Sequence, residues 1–429
     1  MKTRPLLKIF LRKFSLILFP SLGINIFFSC SSAETPSQNN EGPSLVSGTY
    51  FETLLEFSAG ENPGDIAFGD FNLDNKTDIL ITSPRKQEGV TTVEDGTMIL
   101  FQKNTSSSSR FPFSSTTISP DVSEWRQDVL ANDFTGDNIS DLIVTHTDLS
   151  SVKLLRNDGS ANFSDNGSVN VGKTPISMVA EDWDLDNQTD IAVVNRDNSS
   201  VSILNNSSGQ FAISQTLIVE EIPISITSGD WNNDTFFDLA VLSRNSNLVQ
   251  IFINNGSGVF NILDETYSVG SLPFEMISGD WNCDSKTDLA ITNSGEDTIS
   301  LIYGKGTGYF ESPIKIISGR GPRGLTSADF NSDGKLDFVV GHQFFVNTSG
   351  ISLLTGDFSL TLSNNNYSTG YSNPLSFAAS LAEKGDSPSE LEILYVDNDS
   401  KLDILATLPL RKKIVLILGK QFSGSLSCP

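Results

Sequence analysis

The chain has 429 residues, with 52 acidic and 28 basic side chains and a formal net charge of −24. This length allows a large core and one to three domains. The excess of acid argues against nucleic-acid binding, because recognition of phosphates needs Lys and Arg. No stretch has the sustained periodicity of an amphipathic helix, which favours an all-β fold.

The N-terminus has the layout of an export signal. Basic residues within positions 1–13 precede an apolar run at 14–28 and a group of small residues. This order predicts a signal peptide over residues 1–29. Cys30 follows the expected cleavage point, which resembles a bacterial lipoprotein signal with a loose lipobox. Cys30 is therefore the predicted site of lipidation, and ordinary cleavage with Cys30 incidental is the alternative.

Residues 30–46 are rich in Ser, Asn, Pro and Glu. This composition predicts a flexible tether between the lipid anchor and a folded domain at 47–429. Acyl chains would hold the protein at a membrane, since each buried CH₂ contributes about 0.8 kcal/mol. We expect an exported protein that is lipid-anchored at the outer membrane or cell surface of a bacterium.

A nine-residue acidic pattern recurs six times along the folded region. The copy at 182–190 reads DWDLDNQTD, with oxygen-bearing side chains at positions 1, 3, 5 and 9. Carboxylates at alternate positions of a tight loop can converge on one point, and calcium takes about six to eight oxygen ligands. The opening is similar to an EF-hand loop, but the last acid comes at position 9 and a strand follows. The pattern predicts a calcium loop between two strands.

The predicted calcium ligands occupy positions 1, 3, 5, 7 and 9, with position 7 acting through its backbone oxygen. They are Asp70, Asn72, Asp74, Lys76 and Asp78; Asp133, Thr135, Asp137, Ile139 and Asp141; Asp182, Asp184, Asp186, Gln188 and Asp190; Asp230, Asn232, Asp234, Phe236 and Asp238; Asp280, Asn282, Asp284, Lys286 and Asp288; and Asp329, Asn331, Asp333, Lys335 and Asp337. Asp and Asn also cluster in metal-free turns. Six copies in one register favour several structural Ca²⁺ ions.

The middle copies follow one another at spacings of 48–50 residues, and a fixed period of this size is typical of a propeller or solenoid. Each unit contains four short apolar runs: one before the acidic loop, one after it, a third, and a fourth that follows a Gly-rich turn and an aromatic, as in 256–260. Four strands per unit predict a β-propeller.

A seventh unit is degenerate, and two alignments are open. Local register places Tyr395 at position 1. The alternative takes 374–378 as the first strand, which places Leu381 at position 1 and an insertion inside the loop; the repeat spacing favours this version. Neither alignment predicts a good metal site.

The seventh unit lacks a fourth strand at the C-terminus, whereas residues 48–55 match the turn and fourth strand of other units. An N-terminal strand in the last blade would close the ring and remove exposed sheet edges. The expected fold is therefore an all-β, seven-bladed propeller of four-stranded blades that is closed by an N-terminal strand.

The acidic loop, the D-[IL]-[AL]-[VI] strand after it and the G-x-G-x-F turn together resemble FG-GAP/VCBS repeats over about residues 48–420. The resemblance implies a calcium-binding propeller like those of integrin α chains and many bacterial surface proteins. It implies fold and calcium more than function, because this propeller serves many partners.

The loops after the second strands would lie on the face opposite the acidic loops. Their polar and basic residues are candidates for a ligand face, namely Asn195, Arg196, Arg244, Asn293 and His342. We expect a non-catalytic binding or adhesion module for a protein or glycan partner, although ordinary polar loops have similar composition. No HExxH, GxSxG, phosphate-loop or CxxC motif occurs. A propeller-based hydrolase or lyase acting on carbohydrate is the alternative.

The chain has two cysteines besides Cys30. Cys283 is position 4 of an acidic loop, and Cys428 is close to the C-terminus. An exported protein can form a disulfide, but the spacing is equally compatible with two thiols.

Overall fold

The structure is a computed structural model that describes residues 51–59, 63–82, 98–103, 113–118, 128–330, 333–343, 351–354, 375–377, 388, 390–395, 401–408 and 413–419. The predicted signal peptide, Cys30 and the tether lie outside these ranges. Within them, no helix is both long and apolar enough to cross a membrane.

Within the described ranges the strands form seven four-stranded antiparallel sheets, and six of these take their strands in chain order. The first three sheets are β2 (Ile66–Gly69), β3 (Asp78–Thr82), β4 (Met98–Lys103) and β5 (Phe113–Ile118); β6 (Val129–Asn132), β7 (Asp141–His146), β8 (Ser151–Asn157) and β9 (Phe163–Asn170); and β10 (Pro175–Glu181), β11 (Asp190–Asn195), β12 (Ser200–Ser207) and β13 (Gln210–Ile218). We number them blades 1 to 3.

Blades 4 to 6 continue the same order. They are β14 (Pro223–Gly229), β15 (Asp238–Ser243), β16 (Leu248–Asn254) and β17 (Phe260–Ser268); β18 (Pro273–Gly279), β19 (Asp288–Asn293), β20 (Thr298–Ile302) and β21 (Ile314–Ile317); and β22 (Pro322–Ala328), β23 (Asp337–His342), β24 (Ile351–Leu354) and β25 (Leu375–Phe377). The remaining sheet, blade 7, has β26 (Leu391–Leu394), β27 (Asp403–Leu408), β28 (Lys413–Gly419) and, beside β28, β1 (Phe51–Ser58).

Burial within a blade decreases from the second strand outwards. Every residue of β11, β15 and β19 is buried, whereas most residues of the fourth strand β13 are exposed or half-buried. A strand that packs on both faces reads as a continuous apolar run rather than an alternating one. This is why the runs after the acidic loops, such as Ile191 to Val194, contain few polar residues.

Neighbouring sheets pack face to face through apolar clusters. One cluster joins Trp183 and Ala192 of blade 3 to Leu239 and Phe252 of blade 4, and equivalent clusters join the other consecutive blades from 1 to 7. A further cluster combines residues of blades 7 and 1. The predicted all-β propeller with four-stranded blades is confirmed.

The preferred alignment of the seventh unit is wrong. β25 pairs with β24, with Ile351 opposite Phe377, so this segment is the fourth strand of blade 6 and not the first strand of blade 7. Leu381 itself lies outside the described residues. The first strand of blade 7 is β26, which ends at Leu394, so its loop begins at Tyr395. The extra residues precede blade 7 instead of interrupting its loop.

Candidate metal loops and ligand face

Each acidic loop connects the first and second strands of its blade. The loop after β10, for example, leads directly into β11, which begins at Asp190. Because all six loops have this place in their blades, they lie on one face of the propeller. Asn331 is outside the described residues, and the other predicted ligands are within them.

The carboxylate at position 1 is held by backbone N–H groups. In the 182–190 loop, Asp186 N donates to Asp182 Oδ1 at 3.1 Å and Asn187 N donates to Asp182 Oδ2 at 3.0 Å. The other five loops contain the same two bonds. These bonds fold the loop around the position-1 side chain.

Left-handed backbone conformations complete the loop shape. Positions 4 and 6 have positive φ, as at Leu185 (61°) and Asn187 (66°), and Leu185 projects into solvent with 58% of its surface exposed. The left-handed conformation costs roughly 1–2 kcal/mol for a residue with a Cβ. A strained conformation that recurs at a ligand-rich loop indicates a functional constraint.

The carboxylate at position 9 is buried at the start of the second strand. Asp238 Oδ2 accepts a bond from Trp231 N at 3.2 Å, and Asp238 Oδ1 accepts one from Asn254 N at 2.9 Å. Burial raises the pKa of Asp190, Asp238 and Asp288 to about 7. A nearby cation would favour the ionised form of these carboxyls.

Two loops bring three carboxylates together. Asp182, Asp184 and Asp186 have oxygens within 4.8 Å of one another, and so do Asp133, Asp137 and Asp141. The other loops have Asn at position 3, whose amide oxygen would replace the carboxylate.

Positively charged side chains occupy several of the loops. Lys286 Nζ lies 2.9 Å from Asp284 Oδ2, and Arg156 Nη2 lies 3.0 Å from Asp137 Oδ2. In the 182–190 loop the neutral Gln188 takes this place and bonds Asp186 at 2.9 Å. The 182–190 loop therefore has the donor set that best fits a calcium ion.

Sequence analysis missed a buried asparagine at the last or next-to-last position of the third strand in blades 2 to 4. Asn206 N donates to Asp190 Oδ1 at 2.8 Å, and Asn206 Nδ2 donates to Phe134 O in the loop of the preceding blade at 2.9 Å. Asn157 and Asn254 make the equivalent bonds. The recurring Asn before each Gly-rich turn was the available signal. These residues connect the acidic loops of neighbouring blades.

The aromatic residue at position 2 forms a second connection between blades. Trp183 packs edge-on against Phe260 of the next blade, with ring centroids 5.6 Å apart, and the equivalent pairs in other blades lie 5.5–6.0 Å apart. The Phe that follows the Gly-rich turn of one blade thus packs against the position-2 aromatic of the acidic loop in the preceding blade.

Three predicted ligand-face residues are fully buried, which removes them from a solvent-facing surface. Asn195 and Asn293 donate their amide hydrogens inside their own hairpins, to Ser202 Oγ and Ser300 Oγ at 2.9 Å each. His342 is also buried, and desolvation lowers its pKa to about 4. Because polar residues in these turns can satisfy the local backbone and side chains, polarity alone did not identify exposure.

The remaining two candidates, Arg196 and Arg244, line a cavity of about 560 Å³. Arg196 begins a 3₁₀ turn (Arg196–Asn198) after β11, and Arg244 follows β15 directly. A role of these two arginines in binding a ligand stays a prediction.

Cys283 is disulfide-bonded, which decides between the two alternatives left open for this residue. Its partner lies outside the described residues. Cys283 Sγ lies 3.6 Å from Gly334 O in the acidic loop of blade 6.

A family profile described as FG-GAP-like repeat matches residues 133–193 and 280–340. Each match begins at position 1 of one acidic loop and ends in the second strand of the next blade. The chain therefore carries FG-GAP-like repeats. No curated protein matches this chain.

Solved structures of other proteins align with most of this chain. BBS1N, solved in complex with ARL6DN, aligns over 88% of this chain and 99% of that chain at 10% identity, with a TM-score of 0.56. A functionally unknown protein from Desulfotomaculum acetoxidans DSM 771 aligns over 72% of this chain and 89% of its own, at 12% identity and a TM-score of 0.49. At 10% identity, the similarity to BBS1N supports the fold alone.

Proposed function

We propose that this FG-GAP repeat protein is an exported, lipid-anchored, calcium-binding propeller that acts as a non-catalytic binding module for a protein or glycan partner. The observation that carries the calcium part is the 182–190 loop. Oxygens of Asp182, Asp184 and Asp186 lie within 4.8 Å of one another, and the carboxylate of Asp190 is buried close to Asp184 and Asp186.

Charge in this loop supports the same proposal. Burial, together with the charges of Asp186 and Asp184, raises the pKa of Asp182. Calcium would be held by the carboxylates of Asp182, Asp184, Asp186 and Asp190 and by the backbone carbonyl of Gln188. Its positive charge would offset the repulsion among the four carboxylates.

We further propose that the sheets act as one closed ring of seven blades. Two contacts support closure at blade 7. β1 pairs with β28 in a register that runs from Leu54 opposite Ile417 to Ser58 opposite Lys413. Ile66 and Ile81 of blade 1 share an apolar cluster with Leu405 and Leu416 of blade 7. The pairing of β1 with β28 covers the outer edge of β28, and a ring with only short strand edges gives a rigid surface for a partner.

The disulfide at Cys283 supports export, because disulfides persist in oxidising compartments. We expect Cys428 to be its partner, since the third cysteine, Cys30, is the predicted site of acylation. Peptide mapping without reduction should yield a peptide that links Cys283 to Cys428. A link between Cys283 and Cys30 would contradict both the pairing and the lipid anchor.

Calcium binding can be tested by native mass spectrometry of the mature protein. The Asp186→Ala variant should lose about one bound ion while remaining folded, because the ligands of one loop serve one site. The exposed Asp158→Ala, outside the acidic loops, is the matched control. An unchanged ion count in Asp186→Ala would contradict the assignment.

The binding role is tested on a glycan and matrix-protein array with calcium and with EDTA. Retention of a partner in calcium, without turnover of that partner, supports a binding module. Release of cleaved sugar would instead support the hydrolase or lyase alternative.

A further inference from the structure

Buried asparagines recur at one position of the repeat in blades 2, 3 and 4. They are Asn157, Asn206 and Asn254, and none has more than 5% of its surface exposed. Each comes two residues after the third-strand residue that pairs with the residue following position 9, as Leu204 pairs with Ile191 in blade 3. An asparagine at one register of three blades indicates a shared role beside the acidic loops.

Each of these asparagines bonds two acidic loops. Its backbone N–H donates to the carboxylate at position 9 of its own loop, at 2.9, 2.8 and 2.9 Å in blades 2, 3 and 4. Its side-chain N–H donates to the backbone carbonyl of position 2 in the loop of the preceding blade, at 2.9, 2.9 and 3.0 Å. Positions 1 and 3, on either side of that carbonyl, are predicted calcium ligands, and so is position 9. The asparagine therefore contacts the ligand-bearing parts of two loops at once.

Further hydrogen bonds hold the asparagine side chain in one orientation. Asn206 Nδ2 also donates to Thr189 O at 3.1 Å, directly before Asp190, and Asn206 Oδ1 accepts a bond from Gly209 N at 2.8 Å. The side chain is thus fixed on its own blade while it reaches the loop of blade 2. Hydrogen-bond networks of packed side chains can carry energetic coupling between sites. A shift of the position-2 carbonyl in blade 2 is therefore transmitted to Asp190 in blade 3.

Blade 5 has the backbone bond of this arrangement without the side-chain bond. Gly304 N donates to Asp288 Oδ1 at 2.8 Å, but glycine has no side chain that could reach the carbonyl of Trp231 in the loop of blade 4. That carbonyl accepts the N–H of Gly308 at 2.7 Å, a backbone bond whose equivalent blade 4 has in addition to the bond from Asn254. The three asparagines thus join the acidic loops of blades 1 to 4 in series, and the series stops between blades 4 and 5.

We propose that these asparagines are positioning residues that couple calcium binding in the loops of blades 1 to 4, whereas the blade 5 loop binds its ion independently of blade 4. This inference rests on the proposed calcium binding and concerns its regulation. An ion in one loop fixes the position-9 carboxylate and the backbone around position 2. Through the shared asparagine the neighbouring loop is ordered in advance, so it loses less conformational freedom when its own ion binds. Such coupling is reciprocal and typically amounts to about 5- to 150-fold in affinity.

The test counts bound ions by native mass spectrometry of the mature protein at graded free calcium. Asp137→Ala removes the blade 2 site, Asp186→Ala removes the blade 3 site, and a further variant combines both changes. Independent sites give additive losses of bound ions at every calcium concentration, whereas with positive coupling the sum of the two single losses exceeds the loss in the combined variant. For two loops of equal affinity and fivefold coupling, the excess should be about 0.4 ion at half-saturating calcium.

Asn206→Ala, added to each of these proteins, should remove the excess. The backbone N–H of residue 206 still reaches Asp190 in this variant, but the side-chain bond to Phe134 O is lost. The exposed Asn261→Ala should leave the excess unchanged. A purely structural role of Asn206 would lower Tm without altering the additivity of the losses. Asp234→Ala and Asp284→Ala, in the unbridged loops of blades 4 and 5, should give additive losses, and this pair carries the comparison if Asn206→Ala does not fold.

Three results would overturn the coupling: additive losses for blades 2 and 3, an excess that persists in Asn206→Ala, or an equal excess for blades 4 and 5. At saturating calcium each single variant should lose about one ion and each combined variant about two, because one loop holds one ion. If ions bind but their losses are additive throughout, only the coupling is wrong. If the mature protein binds no calcium, the proposed calcium binding itself fails.

Discussion

The acidic loops of blades 3 and 5 have the same backbone arrangement. Asp182 and Asp280 each accept the N–H groups of positions 5 and 6, at 3.1 and 3.0 Å in one loop and at 3.1 and 2.8 Å in the other. Both loops have left-handed residues at positions 4 and 6. The repeat therefore fixes the loop shape independently of the remaining ligands.

The two loops differ in charge. Blade 3 has Asp184 at position 3, and its oxygens lie within 4.8 Å of those of Asp182 and Asp186. In blade 5, position 3 is Asn282, Lys286 pairs with Asp284 at 2.9 Å, and Trp281 N donates to Asp288 Oδ2 at 3.0 Å. The blade 3 loop thus has more negative charge for a cation to offset, and we expect it to bind calcium more tightly.

Calcium removal should have the largest effect. Each independent site stabilises the fold by about 2.7 kcal/mol at a calcium concentration of 100 Kd, so EDTA should lower Tm by many degrees. EDTA should lower the Tm of Asp186→Ala by less than it lowers the Tm of Asp284→Ala. The reason is that Asp186→Ala has already lost the blade 3 site, which contributes more to the stability of the wild type. Differential scanning calorimetry at graded free calcium measures both values. Equal drops would remove the distinction between the loops.

Without calcium, stability should fall as pH rises. The pKa of Asp190, Asp238 and Asp288 is about 7 in the fold against an ordinary value of 3.8, so the folded chain binds more protons between about pH 4 and 7. The free energy of unfolding should therefore fall across this window by about 1–4 kcal/mol per carboxyl. Urea unfolding in EDTA at several pH values measures it.

The variant Asp190→Asn has no ionisable group at position 9 of the blade 3 loop. Its free energy of unfolding should therefore fall less steeply with pH than that of the wild type, by the contribution of one carboxyl. Saturating calcium should flatten the slope in the wild type, because bound calcium holds these carboxyls ionised. A stability that rises with pH in EDTA would show that burial does not control these groups.

The repeat, the strand order and the position of the acidic loops could be predicted because each blade follows the same local pattern. The acids of positions 1 and 9 lie at strand boundaries, where the sequence changes from polar to continuously apolar. Blade 7 was harder to predict because Tyr395 stands where the other loops have their first acid. The long segment before β26 also places residues 374–378 at the spacing expected for a first strand. The pairing of Ile351 with Phe377 assigns β25 to blade 6, which the spacing of the repeats alone could not do.

The contacts between blades were not predictable from one repeat alone. Asn206 is polar and precedes a turn, yet it is 5% exposed and bridges two acidic loops. Asn195 is polar in a similar turn, and its bonds remain within one hairpin. Which neighbour such a side chain bonds depends on the packing of adjacent sheets, which a single sequence does not specify.

Blade 5 lacks the bridging asparagine of blade 3, which permits a direct comparison. Asn206→Ala should destabilise the protein by about 1–3 kcal/mol, because Phe134 O and Thr189 O lose a buried donor. Gly304 replaces this residue in blade 5, and a Cβ there would lie 2.2 Å from Thr287 O, so Gly304→Ala should also destabilise, through a clash. The exposed Asn261→Ala is the control. Chemical denaturation gives the values, and a neutral Asn206→Ala would show that the bridge between loops is dispensable.

The smallest expected effect concerns Lys286, whose ammonium competes with calcium for Asp284 in blade 5. An exposed ion pair of this kind is weak, so Lys286→Gln should raise the calcium affinity of this loop by no more than about fivefold. The substitution reproduces the Gln188 of blade 3, and Gln188→Lys makes the reverse change there and should weaken that site by a similar factor. Calcium titration with and without Lys286→Gln, both in a background with Asp186→Ala, removes the blade 3 site from the comparison, and the difference between the two titrations reports the blade 5 loop. If the two exchanges leave both affinities unchanged, position 7 does not determine the order of affinities, and the difference must come from position 3.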